Sequence, residues 1–300
     1  MTRGKQPGGL SLLKISILAY VLIAPAFILF LIYIAFPIVY NFAQSTQSQT
    51  YYGTTLFTGM KNFKYMLSDP IFWSALKNNL IWFVLCVGVQ TILAFLFALL
   101  YQLKLMGRGL FKAVLFVPVV LSPVVIGLVW EQIYNPSNGI IAVILGFMGD
   151  SSPPDWLGNP NLALISVAFV NIWQWTGFSM LLYIAALQNI PAELYEVATV
   201  DGAGNWAIIN KILVPLVEGT TGTLVILGFI GSLQTFTLVY VMTAGGPDNS
   251  SHVLGTYIFQ QAFVQGNFGY GSALSVVLLI ITLLLTLIQL RLFNCERRLN

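Results

Sequence analysis

The chain has 300 residues, of which 57% are hydrophobic and 8% charged, with a mean hydropathy of +0.84 and a formal net charge of +3. A soluble domain carries about 25% charged residues, so this chain cannot cover itself in water and reads as an all-α polytopic membrane protein. Two cysteines, Cys86 and Cys295, and one histidine, His252, offer no metal-ligand spacing and almost nothing for a histidine-based catalytic site.

The N-terminal segment MTRGKQPGGLSLLK is basic and precedes an apolar stretch from Ile15 to Tyr40. That stretch is well beyond the about 7–15 residues of a signal-peptide core, so it reads as an uncleaved first membrane helix. A bilayer core of about 30 Å needs about 20 apolar residues in a helix. Six runs qualify. They lie at about 16–40, 76–101, 111–134, 162–187, 214–242 and 270–293. Pro25 and Pro37 bend the first, and Pro118 and Pro123 interrupt the third; neighbouring helices can satisfy the backbone groups so freed.

Orientation follows from Lys and Arg near the span ends. With the N-terminus inside, ten of the thirteen fall on the inner face: Arg3, Lys5, Lys14, Lys104, Arg108, Lys112, Lys211, Arg291, Arg297 and Arg298. Only Lys61, Lys64 and Lys77 are outside. The expected fold is thus six transmembrane helices, N-in and C-in. Residues 1–14 and 294–300 form inner tails around a six-helix membrane body at 15–293. The outer loops, about 41–75, 135–161 and 243–269, are rich in Gly, Asn, Ser, Pro and aromatic residues and read as ordered polar contact surfaces. Their acids Asp69, Asp150, Asp155 and Asp248 are either contacts for an external protein or ordinary turn residues.

Three of the ten acids fall together on the inner side: Glu193, Glu196 and Asp201, within IPAELYEVATVDGAGNW. Pro191 suits a first helical turn, and the two glutamates then sit near the positive end of the helix dipole. Leu194, Val197 and Ala198 share a face at i, i+3, i+4 spacing. Gly202 stands where a left-handed C-terminal residue is expected. The segment predicts a helix of about two and a half turns. An interfacial helix would favour Lys and Arg, and the anionic inner leaflet would repel this acidic one. It reads as a docking element for a soluble partner.

Here the residues carry a resemblance. ELYEVATVDGAGNWAIINKILVPL resembles the EAA loop, the coupling helix of ATP-binding cassette (ABC) importer permeases. Glu196, Val197 and Ala198 match its Glu-Ala-Ala, with Val197 in place of alanine; Asp201, Gly202 and Ala203 follow, then Val214 and Pro215. The block 240–275, with GGP at 245–247 and YIFQQAF at 257–263, and the block 61–80 resemble carbohydrate-type members of the same family. The resemblance implies a type I importer permease fold, with 190–210 as the coupling loop and Glu193 alongside the matched residues gripped by an ATPase. It implies a second homologous permease as heterodimer partner, two cytoplasmic ATP-binding subunits, an extracytoplasmic solute-binding protein, and a multi-pass place in a bacterial or archaeal cell membrane. No cofactor of its own is expected, since ATP and Mg belong to the ATPase, and no nucleic-acid partner.

Polar groups inside spans are costly and suggest function. The fourth span places Asn171, Gln174, Trp175 and Phe178 on one face, and the fifth supplies Ser232, Gln234 and Thr235. Neutral amides, hydroxyls and aromatic faces are the groups that bind sugars. The resemblance puts Gln174, Trp175, Phe178, Ser232, Gln234 and Thr235 at the substrate lining. Glu218 reads as an interface-level acid, snorkelling or paired with a base such as Lys211. The chain has no G-x-x-x-x-G-K-[ST], so it is not itself the P-loop ATPase. The competing reading is an ion- or proton-coupled carrier, which would show repeats and intramembrane charge that the sequence lacks.

Overall fold

A computed structural model describes residues 9–49, 55–103, 106–149 and 153–296. Arg3, Lys5, Lys104, Asp150, Arg297 and Arg298 lie outside the described residues, as do most of the expected tails.

The chain opens with α1 (Gly9–Phe30), a π-turn at Leu31–Ala35 and α2 (Phe36–Ser45). A short hairpin of β1 (Gln47–Gln49) and β2 (Thr55–Phe57) pairs antiparallel, Ser48 opposite Leu56. Then come α3 (Lys61–Ser68), α4 (Pro70–Phe83), a π-segment at Val84–Val89 and α5 (Gln90–Gln102). The middle holds α6 (Arg108–Val120), α7 (Pro123–Ile133), α8 (Ile140–Phe147) and the long α9 (Ala163–Gln188). After α10 (Ala192–Val200) follow α11 (Asn205–Ile208), α12 (Val214–Leu216), α13 (Glu218–Leu233), α14 (Thr237–Thr243), α15 (Leu254–Phe259) and α16 (Phe268–Glu296).

Among the described residues, four helices are long and apolar enough to cross a membrane: Tyr20–Ser45, Pro70–Gln102, Ala163–Gln188 and Phe268–Gln289. Two bent pairs bring the total to six if each is one span. The first pair, α6 and α7, meets at 103°. Leu121 and Ser122 are extended there, at ψ 146 and 132; Pro123 disfavours the helical region for Ser122, the residue before it. The second pair, Asn205–Leu216 and α13, meets at 62°. The expected fifth span of 214–242 is therefore not one helix. It breaks at Val217 and again at 234–236, and α14 packs separately against α7 and α9.

The hub is α9, which packs on α5 and α6. Gly177 makes the crossing with α6 close: a Cβ there would lie 1.9 Å from the Leu115 carbonyl oxygen. Small residues let backbones approach this way in membranes. One apolar cluster, with Met180, Tyr183, Leu187 and Leu213, lies toward the α10 end. A second gathers Trp82, Cys86, Val167, Val170 and Val239. A third, with Met66, Phe72, Leu254 and Leu274, ties α3, α4, α15 and α16 together at the hairpin end.

Two expectations about the loops change. The segment 135–161 is not uniformly polar: α8 (IIAVILGF) leaves Ile140, Val143, Ile144 and Phe147 exposed. Asp69 is not a surface contact. It is buried, caps α4 through the Ile71 N–H at 2.9 Å, and accepts hydrogen bonds from the hydroxyls of Tyr257 and Tyr270. Asp155 is a turn residue, accepting the Gly158 N–H at 2.8 Å. Glu218 opens α13; it is exposed, where the helix dipole favours a carboxylate.

Candidate functional site

Two features stand out, a cavity in the helix bundle and the short helix at one end of it. The cavity, of about 400 Å³, lies between the second span, α9 and α13. From α9 it receives Asn171, Trp175, Phe178 and Ser179; from the far end of α13 and just beyond, Gly231, Ser232 and Thr235. Residues 171, 175, 178 and 179 form one stripe of α9, spaced i, i+4, i+7, i+8. The Trp175 and Phe178 rings meet edge to face, with centroids 6.2 Å apart.

Of the six residues expected here, the structure brings Trp175, Phe178, Ser232 and Thr235 together. Gln174 and Gln234 are corrections. Gln174 is 1% exposed and turned toward α6 and α7, where its Nε2 donates to the Leu121 carbonyl at 3.4 Å. The break between those helices leaves carbonyls without helical partners, and this amide reaches one of them. Its Oε1 has no hydrogen-bond partner among the described residues. Gln234 is exposed just past the end of α13 and does not line the cavity.

The remaining wall comes from the second span, which sequence reasoning did not single out. Trp82, Cys86 and Gln90 line the cavity. Gln90 donates to the Ser179 hydroxyl at 2.7 Å and to the Trp175 carbonyl at 3.4 Å. It follows the π-segment Val84–Val89 directly; such segments widen a helix locally and recur at functional sites. The available signal was Gln90 itself, a lone amide in an apolar run. Among the described residues, the lining has no charged side chain. It offers amides, hydroxyls, a thiol and aromatic faces, a set that can hold a neutral hydroxylated ligand by hydrogen bonds and ring stacking.

The second feature is α10, nine residues as expected. It begins just after Pro191, which is its cap rather than its first turn. Gly202 adopts φ +78. The Gly202 N–H bonds to the Thr199 carbonyl at 3.1 Å and the Ala203 N–H to the Ala198 carbonyl at 2.9 Å. This is a Schellman closure, and it explains Asp201-Gly202-Ala203 physically: only glycine adopts that backbone without strain. Glu193, Glu196 and Asp201 are all exposed. Ala198 is buried and Tyr195 half-buried, whereas Leu194 and Val197 are exposed. With Val200 87% and Trp206 75% exposed, this end presents apolar groups rimmed by acids, the composition of an interaction surface.

Residues 90–294 match the family model described as "Binding-protein-dependent transport system inner membrane component". The chain is 36% identical over 282 residues to the probable ABC transporter permease protein YurN of Bacillus subtilis, covering 93% of this chain and 96% of that protein. It is 32% identical over 281 residues to the trehalose/maltose transport system permease protein MalF of Thermococcus litoralis, covering 93% and 95%. Among solved structures, a chain of a bacterial alginate ABC transporter, in complex with an alginate pentasaccharide-bound periplasmic protein, superposes with a TM-score of 0.80 at 24% identity, covering 92% of this chain and 93% of that one.

Proposed function

This chain belongs to the family of binding-protein-dependent transport system inner membrane components, and we propose that it forms half of the translocation path of an ATP-driven importer for a sugar, oligosaccharide or related polyol or glycoside. Its partners are a second homologous permease, two cytoplasmic ATP-binding subunits that use ATP and Mg, and an extracytoplasmic solute-binding protein. The chain spans the cell membrane six times with both termini inside, so α10 faces the cytoplasm. A transport role for trehalose and maltose in one relative, and a pentasaccharide-loaded periplasmic protein beside a structural neighbour, support the substrate class and the binding protein.

One observation carries the reading. The same 26-residue helix, α9, lines the cavity with Trp175, Phe178 and Ser179 and reaches α10 three residues after its own end. From Ser179 to Gln188 is about 14 Å at 1.5 Å per residue. A push on α10 therefore acts at short range on the wall that holds the substrate. In this reading Glu193, Glu196, Val197 and Ala198 form the helix an ATPase grips. Asp201, Gly202 and Ala203 close it so that the chain can turn back into the membrane. Trp175, Phe178, Ser232 and Thr235, with Gln90 and Ser179, contact the substrate.

The test is reconstitution of the chain with its neighbouring gene products in proteoliposomes. ATP and the loaded binding protein should drive uptake of a labelled oligosaccharide. Glu196→Lys should release the ATPase during purification, and Gly202→Leu should lower uptake about tenfold or more, both without loss of membrane insertion. Uptake that follows an ion gradient in the chain alone, with no ATPase bound, would replace this reading with a secondary carrier.

A further inference from the structure

Beside Asn78, the second span carries Asn79, buried at 2% exposed and outside the cavity just described. Its Nδ2 donates to the Ser232 carbonyl at 2.7 Å, and its Oδ1 accepts the Leu254 N–H at 2.8 Å. Both partners sit at helix ends. Ser232 is in the last turn of α13, where carbonyls lack helical partners, and the Thr235 N–H reaches that carbonyl only at 3.5 Å. Leu254 is the first residue of α15, where N–H groups are likewise left over. A single amide thus caps two helices from a third.

Only a side chain that both donates and accepts can do this. An aspartate would accept from Leu254 but offer nothing to the Ser232 carbonyl; a lysine would do the reverse. The two helices joined have different duties. α13 ends in the cavity wall, with Ser232 and Thr235 lining it. α15 belongs to the loop 244–267 at the hairpin end. Its backbone presses directly on the same wall, since a Cβ on Gly255 would lie 2.7 Å from the Thr235 carbonyl oxygen. Asn78 holds the loop too, donating to the carbonyls of Ser250 at 2.7 Å and His252 at 2.8 Å. It makes its bonds to the loop and not to α13, so the two neighbouring amides separate loop anchoring from the link to the cavity.

We propose that Asn79 is a positioning residue that couples the state of loop 244–267 to the substrate cavity, so that seating of the binding protein on that loop reshapes the wall at Ser232 and Thr235. The proposal rests on the importer reading above. Leu227→Cys supplies a reporter, because position 227 lines the same cavity and is 51% exposed. With Cys86→Ser and Cys295→Ser it is the sole cysteine of this chain, whereas Cys86 itself is buried against the Ala168 carbonyl and therefore unreactive.

The experiment uses the complete reconstituted transporter in that background. The rate of N-ethylmaleimide modification of the cysteine at position 227 and the ratio of stimulated to basal ATPase are measured with and without the substrate-loaded binding protein. In the parent, the loaded protein changes the modification rate about threefold or more. Asn79→Leu, of similar size and without hydrogen bonds, abolishes that change and lowers the ATPase ratio about tenfold, while the binding protein still co-sediments. Asn78→Ala keeps the modification change. Asn79→Ala, which leaves room for water at both helix ends, gives the same readout if the leucine variant does not assemble. An Asn79 variant that assembles and retains both responses overturns the proposal and leaves Asn79 as packing alone. A parent transporter with neither response removes the importer reading itself, and this proposal with it.

Discussion

The hydroxyl of Tyr270 donates to the Asp69 carboxyl at 2.5 Å, across 201 positions of the sequence. Tyr257 donates to the same oxygen, and Gln261 donates to the Tyr257 hydroxyl at 3.3 Å. The junction of α3 and α4, the helix α15 and the start of α16 are therefore held at one buried carboxyl. Burial, and then the adjacent Asp69, push the Tyr257 hydroxyl above its usual range, so it remains a donor at every physiological pH. Asp69→Ala removes the acceptor and strands two buried hydroxyls. The expected cost is about 3 kcal/mol, against about 1 kcal/mol for Tyr257→Phe. Thermal melting of the purified transporter reads both, and equal shifts for the two variants would refute the arrangement.

Gly177→Ala tests the crossing of α6 and α9. The added methyl would sit 1.9 Å from a backbone oxygen, so one helix must move. At Gly228 the same substitution meets the Val87 side chain at 2.5 Å, which yields more readily than a backbone carbonyl. We expect Gly177→Ala to destabilise by about 3 kcal/mol or more and Gly228→Ala by about 1 kcal/mol. Yield of folded, monodisperse protein in detergent should rank them in that order; the reverse ranking would contradict the packing.

Loop 244–267 should loosen in acid. Burial pulls the His252 ring below its ordinary value near 6.5, against a smaller upward effect of Gln260. The ring faces the Thr256 hydroxyl at 3.0 Å, Gly245 and the Tyr257 ring. The folded loop thus holds a neutral imidazole, and the opened loop binds the proton more readily. Stability from this residue is complete above about pH 6.5 and declines as the pH falls below it, by at most about 1.4 kcal/mol per pH unit. Melting at pH 7.5 and 5.5 should show a drop in the parent that His252→Gln reduces. An unchanged pH slope in that variant would assign the effect elsewhere.

Trp175 and Gln174 are adjacent in sequence and opposite in expected effect. Trp175 lines the cavity, whereas Gln174 holds the Leu121 carbonyl on the far side of α9. Trp175→Ala should raise the apparent KM for uptake about tenfold, the loss of one stacking surface of about 1.4 kcal/mol. Gln174→Ala should leave KM near the parent value and lower stability by about 1 kcal/mol. A KM effect confined to Gln174 would reverse the assignment of the wall.

Much of this protein was written locally. Apolar runs long enough for a bilayer located the four long helices, because a helix in lipid must satisfy its own backbone groups over a fixed thickness; the run 214–242 did not show where its helices begin, break or end. The nine-residue α10 and its glycine closure were equally legible, since the φ of +78 at Gly202 is a demand one residue makes by itself. The tertiary structure decided the rest. It turned Gln174 out of the cavity while keeping Trp175 in it, buried Asp69 where a surface acid was expected, and exposed Leu194 and Val197 while Ala198 packed. It also ended α13 at Leu233, with Asn79 capping the break from 153 positions away. These outcomes depend on what each polar group finds as a partner. The free energy of a buried amide or carboxyl is set by donors and acceptors from distant parts of the chain, and no run length or periodicity specifies which ones folding will bring.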